Sequence, residues 1–339
     1  MTSNDLPGIA DNPDTHGAHI REIDVGRVTE TVRKLCMEAN LRLAPDMKSA
    51  LDKAMENETA ELGRKILGQL EENLKIADTD EIPICQDTGM AVVFLEVGQD
   101  VHFTGGSLKA AVNEGVRQGY TDGYLRKSVV SDPLLRENTD DNTPAIIHTE
   151  ITEGDRVKIT VAPKGFGSEN MSRIFMLKPA DGPEGVRNAV ITAVREAGAN
   201  ACPPMVVGVG IGGDFEKCAV LAKKALTDKL NTVHSYYSDI IEDTATEMKD
   251  HADIGSENPE FKATSAAKNG RRQPDPSYLC AMQKELFEKL NELNIGPGGM
   301  GGKNTILGVN IETYPTHIAG LPVAVNICCH VNRHASCEL

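Results

Sequence analysis

The chain has 339 residues, of which 40% are hydrophobic and 25% charged, an ordinary balance for a folded protein long enough to bury one large core or two smaller ones. A formal net charge of -15 argues against nucleic acid as a partner, because phosphate binding needs a basic face. No run approaches the ~20 consecutive apolar residues of a membrane helix, and the polar, breaker-rich start carries no secretory pattern, so a cytoplasmic setting is expected.

Residues 1–20 read as a disordered tail. Ile23, Val25, Val28, Val32 and Leu35 recur at helical spacing over residues 21–39, and residues 46–76, rich in Ala, Leu, Lys and Glu, read as a longer helical stretch. ICQDTG at residues 84–89 follows, then the strand-like AVVFLEVG and a helix capped by Ser107. A polar loop over residues 132–144 leads to strands at AIIHTEI and RVKITVAP. Beyond the glycine-rich PKGFGSEN come a helix at GPEGVRNAVITAVREAG, the loop NACPP, an apolar strand, a glycine turn and a helix. Residues 228–277 turn polar and are expected to form a surface insertion. A helix over 279–293 precedes NIGPGGMGGKN, and the strand-like runs ILGVNIETY and LPVAVNICC finish the fold. The expected class is α+β, with a helical N-terminal part followed by mixed sheet layers packed with helices, and residues 21–335 forming one catalytic domain.

GVGIGG at residues 208–213 matches the glycine pattern of dinucleotide-binding proteins, after a strand and before a helix. The reading set against it is a tight turn at a helix N-terminus, whose free N–H groups could hold a substrate carboxylate.

Eight cysteines occur without a CxxC pair, so any metal site must be assembled from distant segments. Cys85 lies in ICQDTG. Proline after Cys202 biases that residue toward an extended conformation. Cys328 and Cys329 are adjacent at a strand end, so only one can readily face a shared site and the other is core. For each cysteine alone, burial as a small hydrophobe is the plain alternative. Three widely spread loop cysteines suit an iron–sulfur cluster better than zinc, since a cluster with three thiolates leaves one iron open as a Lewis acid.

ICQDTG, NACPPMVVGVGIGG, GPGGMGGKNT and THIAGLPVAVNICC, in this order, resemble the α subunit of class I fumarate hydratases and of L-tartrate dehydratase, a family of iron–sulfur hydro-lyases. Lys303 and Asn304 look more like the fumarase branch. The resemblance implies a 4Fe-4S cluster held by Cys85, Cys202 and Cys329; the third is preferred to Cys328 because the family's ligand comes four residues after the run ending at Val325. It also implies that Gln86 and Asp87 meet the substrate, with Asp87 taking part in proton transfer. His317, Arg126, Gly165 and Gly167 match substrate-contacting or pocket-lining positions. The implied reaction is reversible hydration of fumarate to (S)-malate, with tartrate dehydration as the alternative and a dinucleotide oxidoreductase behind both. A separately encoded β subunit, in an α2β2 assembly, is the implied partner, with a small dicarboxylate as substrate.

Overall fold

The computed structural model describes residues 20–236 and 277–339. The expected tail, apart from Ile20, and the greater part of the expected insertion lie outside the described residues.

The chain opens on β1 (Arg21–Asp24), α1 (Val25–Leu41), α2 (Pro45–Asn57) and α3 (Glu61–Asp80). The helical reading of residues 21–39 therefore starts too early. Asp24 accepts from the Gly26 N–H and caps α1, while the four residues before the helix pair in parallel with β3 (Val101–Thr104). The single helix expected over 46–76 is two helices, broken at Glu58. That residue is 2% exposed, and its carboxylate accepts from the Thr59 and Ala60 N–H groups at 2.9 Å each, so it satisfies the first free donors of α3.

After β2 (Met90–Gly98), β3 and α4 (Leu108–Asp122), capped by Ser107 as expected, come β4 (Ile146–Thr152) and β5 (Val157–Lys164). These join the C-terminal β11 (Ala335–Glu338) in a four-stranded sheet of order β11-β5-β2-β4. The α1 and α4 helices cover one of its faces, burying Val28, Val32, Val116 and Tyr120 against Val93, Ile159 and Val161.

A second sheet of five strands has the order β6-β10-β7-β9-β8, from β6 (Arg173–Leu177), β7 (Met205–Gly213), β8 (Val233–Ser235), β9 (Ile306–Thr316) and β10 (Leu321–Cys328). The α5 turn (Phe166–Glu169) precedes β6, and α6 (Gly182–Ala197) follows it. With α8 (Ser277–Asn291), α6 packs Val190, Val194, Leu286 and Leu290 onto Val207, Val209 and Ile311. On the other face lies α7 (Phe215–Ala225), through Cys218 and Ala222. The expected α+β class holds. One correction concerns Val233–Ser235, which lies within the span read as an insertion but is an edge strand pairing in parallel with β9.

GVGIGG is not a phosphate loop. All six residues belong to β7, and a side chain on Gly208 or Gly210 would place its Cβ 2.2 Å from the Ala222 carbonyl oxygen or 2.1 Å from that of Cys218. The glycines let α7 lie directly on the strand. The anion-turn reading fails as well, because the single residue between strand and helix, Asp214, caps α7 with its own carboxylate, accepting from Glu216 and Lys217. Gly210→Ala should thus lower stability by about 1–3 kcal/mol or more through overpacking, read as a fall in the urea midpoint. Nicotinamide cofactor binding, by titration, should be absent from both proteins.

Candidate functional site

Antiparallel pairing of β10 with β7 sets Cys328 opposite Val206, so the end of β10 and the start of β7 share one edge of the sheet. Cys202 precedes β7 by two residues and Cys329 follows β10 directly. The two segments touch, the His330 N–H donating to the Cys202 carbonyl at 3.4 Å and the His330 ring Nδ1 standing 3.0 Å from the same oxygen. Cys85 reaches this edge because Ile84 packs into the core formed with Val206, Leu307, Cys328 and Val331, against which Cys85 and Cys329 also lie. Cys328 is buried and ends the strand, as a strand-end alternation requires, and Cys329 is half-buried.

Cys202 is not extended. It is left-handed, at φ 52° and ψ 65°, closing the short turn Gly198–Ala201 with its N–H bonded to the Ala199 carbonyl. The contact with His330 and the Gly298 N–H bond to Pro203 outweigh the local preference before proline. A non-glycine residue held this way is a strained position of the kind that gathers at functional sites.

The ICQDTG turn is fixed on all sides. Asp87 accepts from the Gly89 N–H at 3.0 Å and from the Phe166 N–H at 2.9 Å, and Thr88 donates to the Arg126 carbonyl at 3.1 Å. Gly165 backs onto the Asp87 carboxylate, where an added Cβ would sit 3.0 Å from Oδ2, whereas Gly167 has open space beside it. Gln86 and Arg126 are exposed.

His317 is not part of this group. It lies in the turn between β9 and β10, and the eight residues of β10, at ~3.3 Å each, put roughly 25 Å between it and Cys329. The antiparallel strand that brings Cys328 to Cys202 carries His317 to the far edge of the sheet.

Partial burial, and then the negative potential of Cys85 and Asp87, hold the Cys202 thiol above its ordinary range. At the Cys328–Cys329 pair the mutual hydrogen bond, acting against burial, and then the charges of Lys164 and Arg333 draw the Cys328 thiol down to about 6. All eight cysteines are free. Among the described residues no group of three or more His, Cys, Asp or Glu closes tightly enough for a single metal ion. A cluster carries its thiolates on separate irons and so spaces them more widely. The donor set fits that group: three thiols from separate segments on one edge of the sheet, with Lys164 and Arg333 buried nearby.

Two features were missed in the sequence. Lys164 closes β5 only 5% exposed, donating to the Ser168 hydroxyl at 2.9 Å and pairing with Glu169 at 3.2 Å; Glu169 also pairs with Lys223 and accepts from Asn326. Arg333 is buried beneath the ICQDTG turn, donating to the Asp87 carbonyl. The available signal was a cation at the end of an otherwise apolar strand, and a second one four residues after a candidate ligand.

Two cavities lie away from the cysteines. One of 740 Å³ between α7 and the sheet edges is lined by Glu96, His148, Glu150, Asp214 and Lys217, and one of 420 Å³ by Tyr236, Tyr278, Met282 and Tyr314.

One edge of this mixed α+β fold thus brings three cysteines from separate segments beside the Asp87 turn and the exposed Arg126. The chain belongs to the fumarate hydratase (fumerase) family of hydro-lyases, whose model matches residues 29–258 and 259–338. It is 36% identical over 315 residues to the putative L(+)-tartrate dehydratase subunit alpha of Methanocaldococcus jannaschii, covering 91% of this chain and 96% of that one. It is 28% identical to the L(+)-tartrate dehydratase subunit alpha of Escherichia coli K12, covering 92% and 90%. No helix among the described residues is long and apolar enough to cross a membrane.

Proposed function

We propose that residues 21–335 are the cluster-binding domain of the α subunit of a two-subunit hydro-lyase that hydrates fumarate reversibly to (S)-malate, in an α2β2 assembly whose β subunit is a separate chain. The observation that carries this reading is the gathering of Cys85, Cys202 and Cys329 on one sheet edge beside Asp87 and Arg126. The names of the relatives favour a second reading, dehydration of L-tartrate. Asn304, taken in sequence as a mark of the fumarase branch, spends its amide on Glu58 and the Ala54 carbonyl, so it does not discriminate. Eight free cysteines suit a reducing cytoplasm.

In this reading Cys85, Cys202 and Cys329 hold a 4Fe-4S cluster, which when bound supplies a Lewis acid for the substrate hydroxyl. Arg126, whose side chain has no hydrogen bond or ion pair among the described residues, takes a carboxylate with its planar fork. Gln86 orients the substrate from the exposed side of the turn. Asp87 keeps one lone-pair direction free on each oxygen after accepting Gly89 and Phe166, and there it handles the proton at the carbon next to the hydroxyl-bearing one. Gly165 leaves the space in which the carboxylate sits, Gly167 keeps the pocket wall low, and the partner supplies the remaining cations. His317 has no part in the site formed by its own chain's cysteines.

The reading is tested by anaerobic co-purification with the β subunit and comparison of kcat/KM for fumarate, mesaconate and L-tartrate. Turnover of none of them by an iron-loaded complex would contradict it. Arg126→Ala should raise KM for the preferred dicarboxylate by about ten- to a hundredfold, with a smaller change in kcat, and lysine should restore little of it.

A further inference from the structure

Arg333 has no role in the chemistry assigned so far, yet among the described residues it is one of the most deeply buried charges, at 4% exposure. One of its terminal nitrogens, Nη2, donates to the Asp87 carbonyl. Its Nε and Nη1 are buried with no hydrogen-bond partner among the described residues. A guanidinium offers N–H donors and no acceptor, so each of these atoms needs an acceptor opposite it. Buried donors left in this state point to a partner that the chain's own atoms do not provide.

The neighbours narrow the choice. Lys164, the other buried cation behind the site, is already occupied by Ser168 and Glu169. Arg333 meets Asp87 at its backbone carbonyl, while the carboxylate accepts from Gly89 and Phe166. Asp87, whose carbonyl the guanidinium reaches, stands two residues from Cys85, and Arg333 itself follows Cys329 by four residues, so the side chain sits between the two cysteine segments. Burial separates it from the open face where Gln86 and Arg126 would meet a substrate carboxylate. The anion that fits is one held beneath that face, against the cysteines.

We propose that Arg333 is a positioning residue whose two unpartnered N–H groups face the thiolate and sulfide sulfur of the group held by Cys85, Cys202 and Cys329. Its Nη2 contact meanwhile fixes the Asp87 turn above it. This rests on the cluster reading. Hydrogen bonds to cluster sulfur and a nearby fixed charge are levers on both the retention and the potential of such a group.

The test uses the anaerobic complex with its β subunit. Arg333→Gln keeps a donor for the Asp87 carbonyl and removes the charge; Arg333→Lys keeps the charge and loses the fork. With a chelator present, R333Q should release iron about ten- to a hundredfold faster than the parent, and its midpoint potential should move to more negative values, while R333K stays near the parent potential. The metal-free R333Q chain should melt at or above the temperature of the metal-free parent, because an unpaired buried charge has been removed. Equal iron release and potential in R333Q and parent would overturn the proposal, as would a metal-free R333Q destabilised as much as its loaded form. A parent complex that holds no iron would instead overturn the cluster reading itself.

Discussion

Cys202→Ser should remove the iron and nearly all the activity while leaving the metal-free fold in place. If the open iron supplies several kcal/mol of transition-state stabilisation, its loss lowers kcat by about a thousandfold or more. Serine has almost the same shape as cysteine, and Cys202 is exposed, so stability of the metal-free chain should change by about 0.5 kcal/mol or less. Cys280 and Cys337 are equally exposed and provide controls, since serine at either should leave iron content and turnover unchanged. Cys36 supplies the opposite contrast. It is fully buried, with its thiol pushed up to about 12 by burial, so serine there should cost stability and leave the iron alone. Iron content, turnover and urea midpoint measured across these variants separate ligation from packing.

Glu58→Ala should be the most destabilising single change in the glycine-rich loop region. The carboxylate accepts from Thr59 and Ala60 at the start of α3, and from the Lys303 and Asn304 N–H groups and the Asn304 side chain in the GPGGMGGKNT loop. Gly302, at φ 126°, lets that loop close on it. Removing the acceptor leaves several inward donors unpaired, at a cost of about 3–5 kcal/mol, read as a lower urea midpoint at unchanged slope. Burial by itself would raise the Glu58 pKa, but bonds from Ala60, Asn304 and Lys303 outweigh it and hold the carboxyl below its ordinary range. Its stabilising contribution is therefore complete above the unfolded carboxylate range and is lost as pH falls through the lower folded value. The difference in midpoint between parent and variant should shrink on acidification. Because Gly298 donates to the Pro203 carbonyl and Gly299 passes too close to Ala199 to carry a side chain, the loosened loop should also release iron faster from Cys202.

The cysteine site could be read in part from sequence because each motif combines a reactive residue with backbone punctuation. ICQDTG does become a tight turn, and of the adjacent pair Cys328 is buried while Cys329 is half-buried. Local rules failed where tertiary contacts decide. Cys202 takes a left-handed conformation against the pre-proline bias because His330 and Gly298 hold its loop. GVGIGG has the spacing of a phosphate turn, yet its glycines serve the approach of α7 to β7, and a one-dimensional pattern cannot tell those uses apart. Strands β1, β6, β8 and β11 went unread because each has only three to five residues, too few for alternation to register. His317 follows a family pattern in sequence, but the direction of β10 carries it away from the cysteines. Arg333 and Glu58 depend on partners 246 and up to 246 residues distant, which no local window contains.

If Cys85, Cys202 and Cys329 hold a cluster, one of its irons is left for the substrate. Mössbauer spectra of the iron-57-enriched anaerobic complex, recorded before and after addition of its dicarboxylate, test it most directly. One iron in about four should change its isomer shift on binding substrate while the others stay as they were. Full turnover by an iron-free complex, or a spectrum in which no iron responds to a substrate that is being turned over, would contradict it.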